Sequence, residues 1–284
     1  MSKVRLDSCR ALLFVPATRP DRADKALASG ADGIVIDLED AVAAAHKDAA
    51  RGQALEWLAR RPAQRETAVG LRINSLGTRA GLQDLASLAE ARCPCDFVML
   101  PKLESAFEVQ LHARHLGDVA LLCMIETAAG LEEAMRIATA GRGVAALGFG
   151  GLDLSVDLRA KFAWEPLLFG RSRVVQAASA AGIAVFDVPY LDLRDDAGLA
   201  EECARARAMG FTGKVAIHPS HLPAILAAFT PSAQEANDAR GILQSFERSG
   251  GNVCEYQGKM VDEPVARAAR RVVELAARLQ GAGR

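Results

Sequence analysis

Aromatic residues are scarce in this 284-residue chain: two Trp, two Tyr and ten Phe, 5% of the whole. So thin a supply offers little stacking surface for single-stranded nucleic acid. Charge of one sign is missing too. The 34 Lys and Arg are balanced by 35 Asp and Glu, for a formal net charge of −1, so no field favours nucleic acid or an anionic membrane. No apolar run approaches the ~18 residues that a membrane span needs, and no basic segment leading into an apolar run opens the chain. The expectation is a soluble, cytoplasmic protein with neither nucleic acid nor membrane among its partners. The six cysteines lack zinc-ligand spacing, and the one close pair, Cys93 and Cys95, lacks the two-residue spacer of redox and zinc motifs. They read as buried hydrophobes or idle thiols of a reducing compartment.

What the chain has in quantity is apolar sequence, 50% of it, in a repeating order. Eight short apolar runs, rich in β-branched residues, alternate with Ala-, Leu-, Glu- and Arg-rich helical stretches. The runs are Ala11–Val15, Gly33–Leu38, Val69–Ile73, Phe97–Leu100, Ala120–Ile125, Ala145–Phe149, Ile183–Val188 and Lys214–Ile217. They are continuous rather than alternating, as suits strands buried on both faces of a parallel sheet. Eight β-then-α units are the count of a (β/α)8 TIM barrel. A doubly wound open sheet is the alternative, but it needs two edge strands, and no run is polar enough for one. Gly30, Gly182 and Gly210 each close a helical stretch just before the next strand, as left-handed caps do.

After the eighth run the pattern changes. Pro219–Phe229 reads as the last barrel helix, so residues 1–229 are expected to form the barrel and 230–284 a C-terminal helical extension. Within the extension Ser232 caps a helix to about Arg248, a loop or hairpin covers 254–262, and a last helix runs from Glu263 to about Leu279. So short a piece must pack on the barrel or on another subunit.

Two of the runs end in a lone carboxylate, Glu126 in Met124-Ile-Glu-Thr127 and Asp153 in Gly150-Gly-Leu-Asp153. In a parallel α/β fold both fall at the carboxyl ends of neighbouring strands, where chemistry is placed. Two hard oxygen ligands of this kind suit Mg2+, or Mn2+, with the remaining positions left to water and substrate. The competing reading makes each a cap of the following helix. Arg72 ends the third run with a fork that matches a carboxylate or an enolate oxygen, unless it serves only a structural ion pair. Asp37, Glu39 and Asp40, at the end of the second run, would orient metal-bound water or Arg72; the other reading has Asp40 capping a helix. Lys102 has the position of a Schiff-base lysine, but a metal does the same work, so it ranks as a binding or structural cation. His218 reads as a cap or hydrogen-bonding group, and His112 and His115 as solvated on an outer helix. Asp262, just before Glu263-Pro264, reads locally as a helix N-cap.

Taken in order, these motifs resemble those of the HpcH/HpaI aldolase and citrate lyase β-subunit superfamily, in its CitE-like branch, over nearly the whole chain. The segments are Arg10-Ala-Leu-Leu-Phe-Val-Pro-Ala17, Asp37-Leu-Glu-Asp-Ala-Val42 with Lys47-Asp-Ala-Ala-Arg51, Leu71-Arg-Ile-Asn74, Leu100-Pro-Lys-Leu-Glu-Ser105, Met124-Ile-Glu-Thr127, Gly150-Gly-Leu-Asp153 and Gly213-Lys-Val-Ala-Ile-His-Pro219. The resemblance implies a barrel that binds Mg2+ through Glu126 and Asp153, with Arg72 on the keto-acid or enolate oxygen. It also implies a trimer or hexamer in which Asp262, in a Gly-x-Met-x-Asp segment, closes over a neighbouring subunit's site as acid/base. That reverses the local reading of Asp262. The implied activity is cleavage of a β-hydroxyacyl-CoA, such as malyl-CoA or citramalyl-CoA, into an acyl-CoA and a 2-oxo acid. The alternatives are a citrate-lyase-β-like subunit on a carrier-bound thioester within a complex, a malyl-CoA-type thioesterase, or an aldolase on free hydroxy-keto acids. Arg10, Arg19 and Lys47 are the basic residues expected near the mouth to meet coenzyme A phosphates, against the commoner fate of solvated charge. Ala17, where a Gly is common, and the lack of an acid just before the metal Asp are departures from the family pattern, and the second bears on acyl specificity.

Overall fold

A computed structural model describes residues 6–61 and 67–282. Eight parallel strands close into a barrel in strict sequence order, with the eighth pairing back to the first. This is the TIM barrel that the eight apolar runs predict. The units are β1 (Ala11–Pro16) and α1 (Pro20–Leu27), β2 (Gly33–Asp37) and α2 (Lys47–Arg60), β3 (Ala68–Arg72) and α3 (Arg79–Glu90), and β4 (Phe97–Leu100) and α4 (Ala106–Leu116). They continue with β5 (Ala120–Ile125) and the short α5 (Ala128–Glu132) and α6 (Ala134–Ala138), then β6 (Val144–Phe149) with α7 (Gly151–Asp157) and α8 (Trp164–Ala181). The last two are β7 (Ala184–Asp187) with α9 (Asp196–Met209) and β8 (Gly213–Ala216) with α10 (Leu222–Phe229).

The strands are buried almost throughout, which is why they read as unbroken apolar runs. Inside the barrel, large and small residues interlock. Phe97 of β4 occupies the space beside Gly70 of β3, and Phe186 of β7 that beside Gly213 of β8; a side chain at either glycine would run into the ring. Leu12, Val35, Met99, Leu122 and Val215 complete this core. One departure from the apolar rule lies between β7, β8 and the helices outside them. Lys214 donates to Asp187 and Glu202 at 2.7 Å each, and Arg171 donates to Asp187 at 3.0 Å, with Asp187, Lys214 and Arg171 all buried. Burial of these charges is tolerable because they pair with one another.

By density of contacts the chain divides into residues 1–226 and 227–284. The second unit holds α11 (Ala233–Arg248), the antiparallel hairpin of β9 (Cys254–Tyr256) and β10 (Lys259–Val261), and α12 (Glu263–Ala282). Ser232 and Glu235 cap α11 reciprocally, and Gln257 and Gly258 turn the hairpin with positive φ. Phe246, Val261 and Ala266 form this unit's own small core. Among the described residues no helix is long and apolar enough to cross a membrane.

Candidate active site

The carboxyl ends of β2 to β6 bring together most of the charged residues singled out in the sequence. Asp37 and Arg72 are partners in the β2–β3 register. The guanidinium donates from Nε to Asp37 Oδ1 and from Nη2 to Oδ2, both at 2.7 Å. Its Nη1 lies 3.0 Å from Glu39 and 3.5 Å from Asp40, and its carbon stands 4.6 Å from the centre of the Phe14 ring on β1. Burial alone would weaken the charged form of Arg72. The bonds to Asp37, with Glu39 and Asp40 nearby, outweigh that and hold its pKa above the ordinary value. The structural ion pair and the site arginine are therefore one arrangement.

Lys102 follows β4 with a left-handed backbone, φ 50°, an uncommon state for a residue with a side chain. That turn aims its N–H at Glu126 Oε1, 2.7 Å away. Its ammonium donates to Glu39 at 2.7 Å and lies 3.6 Å from Asp40 and 3.8 Å from Asp153. These acids keep it firmly protonated although burial opposes the charge. It is a charged ammonium, not a neutral amine poised for a Schiff base.

Glu126 is buried, and it does not cap the next helix. Thr127 does that, accepting from Gly130 N–H. Burial, with Glu39 and Asp153 close by, pushes the Glu126 carboxyl up to about 8 against the pull of the Lys102 N–H and of Arg72. Asp153 sits in the first turn of α7, whose start carries no side-chain cap, and is partly exposed. Gly150 lies against the Glu126 carboxylate so closely that a methyl group there would overlap it. Asp40 caps nothing either: α2 starts only at Lys47, and Asp40 is exposed beside Arg72 and Lys102.

Five carboxylates (Asp37, Glu39, Asp40, Glu126 and Asp153) thus face two cations, Arg72 and Lys102, and two of the surplus acids, Glu39 and Asp153, add to burial in raising the pKa of Glu126. The donor set fits a divalent cation of the Mg2+ type, which takes one or two carboxylates and keeps open positions. Among the described residues no group of three or more His, Cys, Asp or Glu is arranged as a fuller metal shell, so the candidate ligands are Glu126 and Asp153. A cavity of about 380 Å³ opens over them, with Phe14, Val188, Val215 and Ile217 on its apolar side, along β7, β8 and β1.

Other expectations need correcting. Arg10 is not near the mouth. It precedes β1 at the opposite, amino-terminal rim, and it forks onto Asp32 at 2.7 and 3.0 Å. Arg19 does stand above β1, exposed and paired with Asp21 at 2.8 Å. Lys47 turns its ammonium onto the carbonyls of Leu38 and Glu39. His112 is buried, with Nδ1 against the carbonyl of Glu108 at 2.7 Å, and burial lowers its pKa. Its place on the Val109–Leu116 face of α4 was readable from helical spacing. His218 caps the turn after β8 by accepting from Ser220 N–H, as expected. Asp262 belongs to the second unit, where its carboxylate accepts the N–H of Val265 at 3.1 Å, the bond of a helix N-cap.

A closed parallel barrel with carboxylates and a forked arginine at its C-terminal mouth is the frame of a barrel carbon–carbon lyase. The sequence pattern of C–C bond lyases of the TIM-barrel fold matches residues 170–280, and that described as HpcH/HpaI aldolase/citrate lyase matches residues 10–219; the chain belongs to this second family. The citrate lyase subunit beta of Escherichia coli K12 is 33% identical, with 94% of this chain and 93% of the relative covered. The mitochondrial citramalyl-CoA lyase of Homo sapiens is 32% identical over 94% of this chain and 85% of its own. Among solved structures, CitE from Mycobacterium tuberculosis in complex with magnesium, acetoacetate and coenzyme A is similar, with 35% identity, a TM-score of 0.82 and coverage of 96% and 100%.

Proposed function

We propose that the protein is a Mg2+-dependent lyase that cleaves a β-hydroxyacyl-CoA, such as malyl-CoA or citramalyl-CoA, into an acyl-CoA and a 2-oxo acid. The observation that carries this reading is the meeting of Glu126, Asp153 and the Asp37-anchored Arg72 over one cavity. The human relative acts on a CoA thioester by its name, and the mycobacterial one was solved with magnesium and coenzyme A. Mg2+, with Mn2+ as a substitute, would be held by Glu126 and Asp153 and would supply Lewis acidity toward the substrate's hydroxyl and carboxylate.

The chain's own residues divide the remaining work. As a base takes the hydroxyl proton, the electron pair of the carbon–carbon bond passes to the acyl group as an enolate, and a carbonyl forms on the departing 2-oxo acid. Arg72, locked in place by Asp37, presents its guanidinium to oxygen on which charge grows; an oxyanion donor of this kind is worth about 3 kcal/mol. Lys102 and Glu39 hold each other and fill out the charged wall beside Glu126. Asp262, supplied by a neighbouring subunit of a trimer or hexamer, serves as the acid/base: in its protonated carboxylic acid form it gives its proton to the enolate carbon of the acyl-CoA and is left as the carboxylate. Its N-cap bond uses one carboxylate oxygen and leaves the other for that step. Cleavage measured with Arg72→Ala and Asp262→Asn tests the scheme, and near wild-type turnover in both would sink it.

The similarity to citrate lyase subunit beta favours a second reading, in which the chain takes a carrier-bound thioester inside a complex. Turnover of free CoA thioesters by the purified chain separates the two.

A further inference from the structure

Lys47 opens α2, and its ammonium points back at the β2–α2 loop. Nζ donates to the carbonyls of Leu38 at 2.8 Å and Glu39 at 2.6 Å. The Leu38 carbonyl is held from a second side by Asn74 Nδ2 at 3.1 Å. Asn74 in turn donates its side-chain and main-chain N–H groups to Asp84 Oδ2, at 2.7 and 2.8 Å. Asp84 Oδ1 accepts from Arg51 Nε at 2.6 Å. Arg51 lies one helical turn after Lys47, on the same face of α2. Asn74, Asp84 and Arg51 are all buried. The N–H of Glu39 is fixed as well, by Asp37 Oδ1 at 2.8 Å.

We infer that Lys47 is a positioning residue of the site: by clamping the Leu38 and Glu39 carbonyls together with the Arg51–Asp84–Asn74 relay, it holds the Glu39 carboxylate against Lys102 and Arg72. The inference rests on the lyase reading above for its consequence in turnover, but the clamp itself is geometric. An ammonium has three donors, and two are spent on carbonyls at short distance, which leaves Lys47 poorly placed as a coenzyme A phosphate contact. Glu39 has few ways to move while both its N–H and its C=O are held. Its carboxylate therefore stays 2.7 Å from Lys102 and 3.0 Å from Arg72. Groups that orient a site's ligands in this way cost about 10- to 100-fold in activity when lost.

The test compares Lys47→Met and Lys47→Arg, in the wild-type chain and in Glu39→Gln, by steady-state cleavage and by amide hydrogen exchange over residues 38–41. Lys47→Met lowers kcat about 10- to 100-fold, with KM for the thioester changed by less than about threefold. Lys47→Arg, which can still reach two carbonyls, recovers most of the loss. In the Glu39→Gln background Lys47→Met costs at most about threefold, because both changes act through one carboxylate. Exchange at residues 38–41 quickens in Lys47→Met while the melting temperature holds. A raised KM at unchanged kcat would make Lys47 a phosphate contact, and equal losses in both backgrounds would make it act elsewhere; either overturns the clamp. Exchange needs no substrate. A wild-type chain that cleaves no thioester would therefore defeat the lyase reading alone, and unchanged exchange at 38–41 would defeat the clamp alone.

Discussion

Arg72 and Asp37 end neighbouring strands, β3 and β2, as register partners, and two parallel bonds of 2.7 Å join them. The fork is thereby aimed before any substrate arrives. Removing one partner of such a pair leaves a buried charge uncompensated, which costs about 3–5 kcal/mol. Arg72→Ala is expected to lose that much stability in urea denaturation and at least about a hundredfold in kcat. Arg72→Lys keeps the charge but loses the fork, so it retains most of the stability and little of the rate. A Lys variant with full turnover would contradict the role given to the fork.

The Glu126 carboxyl, at about 8 in the folded chain against an ordinary 4.5, links metal to pH. Between those values the metal-free fold holds a proton that the unfolded chain does not. The stability this contributes is fully present below about pH 4.5 and is lost as pH rises through about 8. A divalent cation must displace the same proton. Mg2+ affinity, measured by calorimetry, should therefore climb with pH up to about 8 and then level off, with close to one proton released per ion in the middle of the range. Affinity that is flat from about pH 5 to about pH 8 would remove Glu126 from the ligand set.

Gly150 carries a sharper geometric expectation. A methyl group there overlaps the Glu126 carboxylate, while the backbone, with φ −90°, suits alanine as well as glycine. Gly150→Ala should fold normally by circular dichroism and lose about tenfold or more in Mg2+ affinity, the cost of a displaced ligand. Unchanged affinity would place the cation away from Glu126.

If Asp262 serves a neighbour's site, the defects of two inactive chains should compensate. Arg72→Ala chains keep Asp262, and Asp262→Asn chains keep Arg72, so a mixed oligomer regains some complete sites. Mixing the two after dissociation and reassembly should restore cleavage that neither shows alone. Absence of recovery, with mixed oligomers demonstrated by mass, would confine the site to one subunit.

Most of the barrel was legible because its strands are buried on both faces, which leaves continuous apolar runs, and because glycine ends the helices. Strand ends drifted by a residue or so, as at β3 and β8, since hydrophobicity does not mark where the ladder stops. Lys214, at the start of the eighth run, is fully buried in β8, and its pairing with Asp187 and Glu202 is what makes that burial tolerable. Glu126 and Asp153 stood out as lone acids at the ends of apolar runs. The basic residues did not sort themselves in the same way. Arg10, Arg19 and Lys47 look alike in sequence, yet one serves the amino-terminal rim, one pairs on the surface and one grips main-chain carbonyls. Arg10 meets a partner 22 residues further on and Lys47 folds back onto carbonyls eight and nine residues before it, and local pattern carries no trace of those contacts. The relay through Asn74, Asp84 and Arg51 was missed for the same reason, although Lys47 and Arg51 stand four apart in a motif already visible.

The most direct measurement is the product balance when the purified chain meets citramalyl-CoA or malyl-CoA with Mg2+. The account predicts a 2-oxo acid and an intact acyl-CoA in equal amounts, no free coenzyme A thiol, and loss of both products on chelation or in Glu126→Gln. Release of free thiol without a 2-oxo acid, or cleavage indifferent to chelator, would contradict it.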